Sequence, residues 1–265
     1  MYDYHLHSIN SADGSLTIDE VCRQAVKMGF KEIAITDHLD YDVPGKEDFL
    51  LDYESYTKEI EKAKEKYQGM INIIKGLEIG FQPHVREKNN SFITKHQFDF
   101  VIGSVHNING FGLFGEDYYQ EKTREDAYTT YLQQVELMVE KFPCFHVVGH
   151  LDVIRRFPGY SDRTMSVSEF KNQLEAILIK LIDLGKGIEV NSSGFRFGLN
   201  DTLPTLDVVK RYRELGGEII TVGSDGHRLH SLGSGIEEAF RVLKQAGFNY
   251  VCLFRNGKPF KVNLP

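Results

Sequence analysis

A chain of 265 residues, 41% hydrophobic and 26% charged, has the balance of a soluble globular protein long enough to bury a sizeable core. Its net charge of −7 argues against a general nucleic-acid binder, yet leaves room for an anionic substrate, because bound cations reverse a local field. No apolar run approaches ~18 residues, so no membrane span is expected; the N-terminus shows no basic stretch followed by an apolar one, so no signal peptide is expected and the cytoplasm is the default setting.

Cys22, Cys144 and Cys252 lie far apart and form no C-x-x-C pair. They read as small apolar residues of a reducing compartment rather than as a disulfide, a zinc knot or a nucleophile.

Residues 2–7 read as a short strand. Side chains on a strand alternate faces, so Asp3, His5 and His7 share one face. That pattern suits a metal, and a polar edge strand facing water is the plainer alternative. A polar loop follows, and then Thr17, with Glu20 three residues on, forms a capping-box signature. The helix it opens runs to about Met28, where Gly29 stops it. Residues 31–35 form the next strand, which ends in Thr36-Asp37-His38-Leu39-Asp40.

The same unit then recurs. Residues 53–67 predict a charged helix whose Glu and Lys residues face solvent. Strand 71–78 ends in Glu78 and strand 98–106 ends in His106. A glycine-rich aromatic loop (109–119) and a long helix (121–141) come next. Strand 144–152 carries His150, and a helix over 166–184 leads to strand 187–192. A helix near 205–215 precedes strand 218–227, with Asp225 and His227 at its end. A last helix and the apolar run 250–254 complete the pattern. With no repeat and no low-complexity linker, residues 1–265 are expected to form one domain. Alternating strands and helices predict a parallel sheet with right-handed crossovers, and about seven such units favour a barrel. In such barrels the strands' C-terminal ends converge on one mouth.

His5, His7, His38, Glu78, His106, His150, Asp225 and His227 all fall at that mouth. Each has an ordinary explanation alone; together at successive strand ends they read as a metal cluster. Imidazole and carboxylate ligands suit zinc, iron or manganese. Glu78 can bridge two ions through its two oxygens. His146, four residues before His150, reads as a core histidine deeper in the barrel, and His84 and His96 as surface residues.

His5-Leu6-His7, Thr36-Asp37-His38, Gly76-Leu77-Glu78, Gly103-Ser104-Val105-His106, Gly149-His150-Leu151-Asp152 and Gly223-Ser224-Asp225-Gly226-His227 resemble, in order, the motifs of the polymerase-and-histidinol-phosphatase (PHP) family. Thr36-Asp37-His38-Leu39-Asp40 and the run from Glu189 to Arg196 are most similar to its monofunctional histidinol-phosphate phosphatases. The resemblance implies a distorted (β/α)7 barrel with two or three divalent ions. It implies one ion on His5, His7, Glu78 and Asp225, a second on Glu78, His106 and His150, and a third on His38 and His227. Family members place a further ligand in the loop after the His-x-His pair, a position filled here by Asp13.

That resemblance implies hydrolysis of L-histidinol phosphate, a step of histidine biosynthesis, by a hydroxide bridging two ions and attacking phosphorus in line. Asp40 is the candidate general acid for the leaving oxygen, and Asp37 is expected to orient a ligand histidine from behind. Arg155 and Arg196 are the candidates for gripping phosphate, because the guanidinium fork matches two oxygens. Arg156 competes with Arg155, since strand alternation turns only one inward. His230 is a further candidate at the mouth. Glu116 or Asp117 is expected to meet the substrate's cationic end. The implied partner is a small phosphate monoester, with neither nucleic acid nor membrane; no oligomeric state follows from the residues. Another phosphoesterase of the same family, such as a protein-tyrosine phosphatase, is the nearest rival. A metal-free binding module is disfavoured because no ligand position is lost.

Overall fold

The computed structural model describes residues 1–45 and 49–265. Seven strands make the framework: β1 (Tyr2–Leu6), β2 (Glu32–Ile35), β3 (Asn72–Gly80), β4 (Phe100–Ser104), β5 (Val147–Val148), β6 (Gly187–Asn191) and β7 (Ile220–Gly223). Each pairs in parallel with the next. The chain after β7 returns to β1, where Asp225 N–H donates to the His5 carbonyl (2.8 Å) and His7 N–H to that of Gly226 (3.0 Å). The result is the nearly closed (β/α)7 barrel expected from the alternation.

Helices α1 (Ile18–Lys27), α2 (Tyr53–Lys66), α3 (Arg86–Lys95), α4 (Arg124–Lys141), α5 (Lys171–Asp183), α6 (Leu206–Glu214) and α7 (Ile236–Gln245) follow the successive strands. The capping box holds: Thr17 Oγ1 accepts from Glu20 N–H at 3.2 Å, and Glu20 Oε2 from Thr17 N–H at 2.9 Å. Gly29, at φ +76°, ends that helix, a conformation open to glycine without strain. Helix α2 turns its charges outward and buries Tyr56, Ile60 and Ala63. The Tyr56 hydroxyl reaches the carbonyls of Ile35 (2.7 Å) and Gly76 (2.9 Å), which fastens the helix where β2 meets β3.

Three elements differ from expectation. The strand predicted over 144–152 pairs only at Val147–Val148, because His150 sits at φ +24° and the chain then winds into a 3-10 turn, Val153–Arg156. Helix α5 begins at Lys171 rather than near 166. The apolar run 250–254 is half of an antiparallel hairpin, β8 (Tyr250–Arg255) with β9 (Lys258–Asn263). Periodicity does not reveal β9, whose residues are mostly exposed.

The hairpin seals the barrel floor. Phe254 N–H donates to Tyr4 Oη at 3.0 Å, and the Phe254 ring lies 4.8 Å from that of Phe100 and 5.1 Å from that of His146. His146 is thus half-buried at the floor rather than in the core, its Nδ1 accepting from Val101 N–H at 2.8 Å. With the floor plugged, the strands' C-terminal ends are left to carry the site. All three cysteines are free, Cys22 and Cys252 buried and Cys144 half-buried. None of the described helices is long and apolar enough to cross a membrane.

Candidate metal centre

Glu78, fully buried near the end of β3, is the hub. Its Oε2 lies 3.1 Å from both His5 Nε2 and His38 Nδ1 and 3.4 Å from His7 Nε2. Its Oε1 lies 2.9 Å from His150 Nε2 and 3.3 Å from His106 Nε2. The Ser104 hydroxyl fixes the carboxylate by donating to Oε1 at 2.6 Å. Asp225 Oδ1 closes the first group, 3.7 Å from His5 Nε2 and 3.5 Å from His7 Nε2. A further group forms at the rim: His38 Nε2 and His227 Nε2 are 3.4 Å apart, and Asp13 offers Oδ1 at 3.7 Å and Oδ2 at 3.3 Å. The structure therefore brings together all nine residues expected to ligate metal.

The residues fit cations. His5 Nε2, His7 Nε2, His38 Nδ1 and Glu78 Oε2 are buried with no hydrogen-bond partner among the described residues, a costly state unless something binds them. In four of the histidines the outer ring nitrogen is occupied from behind, whereas His150 Nδ1 is buried with no hydrogen-bond partner among the described residues. His5 Nδ1 is 2.7 Å from Glu189 Oε1, His106 Nδ1 is 2.9 Å from Asp40 Oδ1, and His7 Nδ1 is 3.2 Å from Ser11 Oγ. His227 Nδ1 is 3.1 Å from the Asp225 carbonyl. A proton on each Nδ1, donated to these acceptors, leaves the Nε2 lone pair aimed inward. Asp37 reaches His7 through Ser11, whose hydroxyl donates to Asp37 Oδ1 at 2.7 Å.

The two carboxylates at the centre and two of the histidines are already in the form that binds metal. Burial pushes the Glu78 carboxyl up, but the positive fields of His5, His38 and His106 outweigh it and hold the group well below the usual range. Asp225 is likewise pushed up by burial and held well below by Arg156 and His5. Burial, with His227 and His38 nearby, keeps His7 well below its ordinary value, and burial lowers His150. Neutral imidazoles are the form that binds metal, so ions would displace protons from His5, His106 and His227, whose pKa values are raised, against burial, by the carboxylates beside them.

Around this cluster lies a cleft of about 910 Å³ whose walls include Asp40, Arg156, Arg196, Asp117 and His230. Four expectations are corrected or refined. Arg155 does not face the cleft: its guanidinium pairs with Asp152 (2.9 Å) and the carbonyls of Arg163 (2.9 Å) and Thr202 (3.2 Å). Arg156 faces it instead, bonded to Ser193 Oγ and Asp225 Oδ2. Alternation does put only one inward, but the two sit on a 3-10 turn, where a strand rule does not say which. Glu116 is exposed and lies outside the cleft, whereas its neighbour Asp117 lines it. Asp40 is neither free nor exposed: Oδ1 is taken by His106, and Oδ2 is buried without a hydrogen-bond partner. Arg196 lines the cleft and is anchored on the carbonyls of Ser224 (2.7 Å) and Asp225 (2.8 Å), while His230 stands exposed at the rim.

Glu189 is the functional residue given no role by the sequence. Besides holding His5, its Oε2 accepts from the His150 N–H at 2.8 Å. Gly223 is glycine for this reason, since a Cβ there would lie 2.1 Å from Glu189 Oε1 and 2.3 Å from His5 Cβ. The available signal was a glutamate inside the apolar strand Gly187–Asn191.

A parallel barrel whose strand ends carry a histidine–carboxylate cluster defines a metal-dependent hydrolase. The chain matches the PHP domain over residues 3–193 and belongs to that family. It is 32% identical to the histidinol-phosphatase of Lactococcus lactis over 97% of this chain and 95% of that one. It is 29% identical to a probable histidinol-phosphatase of Clostridium acetobutylicum, over 95% and 96%. Among solved structures, the Lactococcus lactis histidinol phosphate phosphatase, complexed with zinc, L-histidinol and phosphate, superposes with a TM-score of 0.90, at 31% identity over 98% of both chains. Metal-dependent tyrosine phosphatases of Bacillus subtilis and Streptococcus pneumoniae match at a TM-score of 0.50 and 16% identity, over 92% of this chain and 87% of theirs, and share the fold alone.

Proposed function

We propose that this protein hydrolyses L-histidinol phosphate to L-histidinol and inorganic phosphate, using divalent ions held by the strand-end cluster. The observation that carries the reading is Glu78, a buried carboxylate whose two oxygens each face a different set of imidazoles. The likeness to a phosphatase solved with zinc, L-histidinol and phosphate supports the substrate. One ion would be held by His5, His7, Glu78 and Asp225, a second by Glu78, His106 and His150, and a third by His38, His227 and Asp13; zinc, iron and manganese all suit these ligands. Bound ions supply an activated water and neutralise the phosphoryl oxygens.

The chain's own residues do the rest. Arg156 and Arg196 present guanidinium groups to the phosphoryl group. Arg156 Nε–H, buried and without a partner among the described residues, is free to donate to it. Asp40 is the acid of this reading: with Oδ1 committed to His106, its proton would sit on Oδ2 and pass to the leaving alkoxide oxygen. His230 and Asp117 stand at the rim for the remainder of the substrate. The net charge of −7 favours a small phosphate monoester over nucleic acid. A cytoplasmic setting, supported by three free thiols, and one domain over 1–265 belong to the same reading.

Phosphate release from histidinol phosphate, measured beside phosphotyrosine with and without a chelator, tests this. Strong preference for histidinol phosphate, lost on chelation, is expected. Equal or better turnover of phosphotyrosine would overturn the substrate, and chelator-insensitive turnover the metal mechanism.

A further inference from the structure

Three phenylalanines exposed to solvent gather at this cleft. Phe111, Phe114 and Phe197 are 44%, 64% and 45% exposed, and all three line the mouth. Large apolar side chains held in water around a concave site mark a surface that something covers.

Each of the three has a cationic neighbour, and Phe114 is the most exposed of them. The Phe197 ring lies 4.5 Å from the Arg156 guanidinium carbon and serves as its backing. Phe111 lies under Lys122 Nζ at 6.0 Å. Phe114 has a mostly open face. Its ring is 6.1 Å from that of His106, one of the candidate metal ligands, and 6.0 Å from the Arg156 guanidinium carbon. It therefore stands beside both a candidate metal ligand and the arginine proposed to grip the phosphoryl group.

Phe114 is also held in place. The loop that carries it turns tightly at Asn109 and Gly110, at φ +52° and +82°. Leu113 N–H donates to the His106 carbonyl at 2.9 Å, and the Tyr119 hydroxyl to the Leu113 carbonyl at 2.9 Å. Tyr119 in turn stacks flat on Phe157, with centroids 3.6 Å apart and planes within 5°. Phe157 directly follows Arg156, so one stack ties the Phe114 loop to the arginine turn. A loop so anchored narrows the space its exposed ring can sample, which lowers the entropic cost of using it in binding.

We propose that Phe114 is the specificity-determining residue of the cleft, selecting phosphate monoesters whose leaving group carries a flat ring by stacking against that ring. This deepens the histidinol phosphate reading and rests on it for the identity of the ring. Nothing covalent is asked of Phe114. An aromatic pair contributes about a tenfold preference or somewhat less.

The test compares three esters on the metal-loaded protein: histidinol phosphate, p-nitrophenyl phosphate and the ring-free phosphoethanolamine. In Phe114→Ala, kcat/KM is expected to fall about tenfold for the two ring-bearing esters and to stay within twofold for phosphoethanolamine. Equal losses on all three, or none, would overturn the proposal. A binding arm covers the case of undetectably slow turnover of the ring-free ester. The chain contains no tryptophan, so Phe114→Trp introduces the sole indole. Its emission is expected to shift saturably with L-histidinol plus inorganic phosphate and not with ethanolamine plus inorganic phosphate. No shift with either, or the same shift with both, would refute the stacking role. Failure of the wild-type protein to prefer histidinol phosphate refutes the function reading separately, because p-nitrophenyl phosphate still reports on Phe114.

Discussion

Glu189 Oε1 lies 2.7 Å from Nδ1 of His5, and Oε2 of the same carboxylate accepts the His150 backbone N–H at 2.8 Å. One buried acid thus sets the tautomer of a candidate ligand in β1 and pins the turn bearing another after β5. Glu189→Gln replaces one of these acceptors by an NH₂ donor. Whichever way the amide faces, a donor then meets a donor. Loss of such a partner behind a metal ligand costs about 10–100-fold in metal affinity or activity. Metal content after dialysis against a graded chelator, followed alongside kcat, checks this. Unchanged affinity would mean that Glu189 only packs.

The two adjacent arginines give opposite expectations. Arg156 faces the cleft, so Arg156→Ala should lower kcat/KM by about 10²-fold or more, in the range for removing one donor to a charged transition state. It should also weaken inhibition by inorganic phosphate and, because it leaves the buried Asp225 without its cationic partner, lower the urea midpoint somewhat. Arg155 neutralises Asp152, a carboxylate pushed up to about 6 by burial despite that pairing. Arg155→Met should therefore destabilise the fold by about 3–5 kcal/mol, the range for orphaning one partner of a buried pair. Urea unfolding and initial rates on the folded fraction distinguish the two. A swap of these phenotypes would reverse the assignment.

This pair also shows where the sequence stops being informative. The candidate metal ligands other than Asp13 were legible because each is a His, Asp or Glu at or near the end of an apolar strand, and strand period and barrel topology carry them to one mouth; Asp13, in a loop, came from the family resemblance alone. The arginines were not separable, because Val153–Arg156 is a 3-10 turn and the rule applied to it was a strand rule. The place of Asp40 was hidden for a different reason. Its partner His106 is 66 residues away, and only the register of the short His38–Leu39 pair with β3 brings Asp40 behind it. Gly80 confirms how tight that approach is, since a Cβ there would lie 1.7 Å from Asp40 Oδ1. The hairpin strand β9 escaped notice because its residues face water and show no buried face.

Asp13 is the least buried member of the cluster, with its side chain 48% exposed. The hydrogen bond from His227 and the field of His38 beside it nevertheless outweigh partial burial and hold its carboxyl below the usual range. Asp13→Ala should remove one equivalent of bound metal and leave the groups around Glu78 filled. Elemental analysis of the purified variant reads this directly. Full loss of metal, or none, would show that the rim group does not act as a separate site.

Removal of all metal should cost stability as well as turnover. A ligand at a thousand times its dissociation constant stabilises the native state by about 4 kcal/mol, which corresponds to roughly 10 °C for a chain of this size. Differential scanning calorimetry of chelated and remetallated protein should show that gap. Coincident melting curves would mean that the cluster binds cations too weakly to serve as proposed.

His146, on the barrel floor away from the cluster, provides a pH signature. Burial, with Lys186 nearby, pushes its pKa from the ordinary 6.5 down to about 4, and its Nδ1 is already used as an acceptor by Val101 N–H. The folded value lies below the unfolded one, so between these pH values the unfolded chain binds the extra proton. Stability from this group is therefore complete above pH 6.5 and declines as pH falls towards 4, by at most about 3 kcal/mol. The variant His146→Phe keeps a flat ring beside Phe100, whose plane lies 14° from that of the histidine, but has nothing to titrate. It should be less stable than the wild type at neutral pH, by about 1–3 kcal/mol for the orphaned Val101 N–H. Its stability should also fall less steeply over the acid window. Chemical unfolding of both proteins at intervals from pH 7 to 4 separates that constant offset from the change in slope. Parallel curves would place the acid sensitivity in other groups and assign His146 an ordinary pKa.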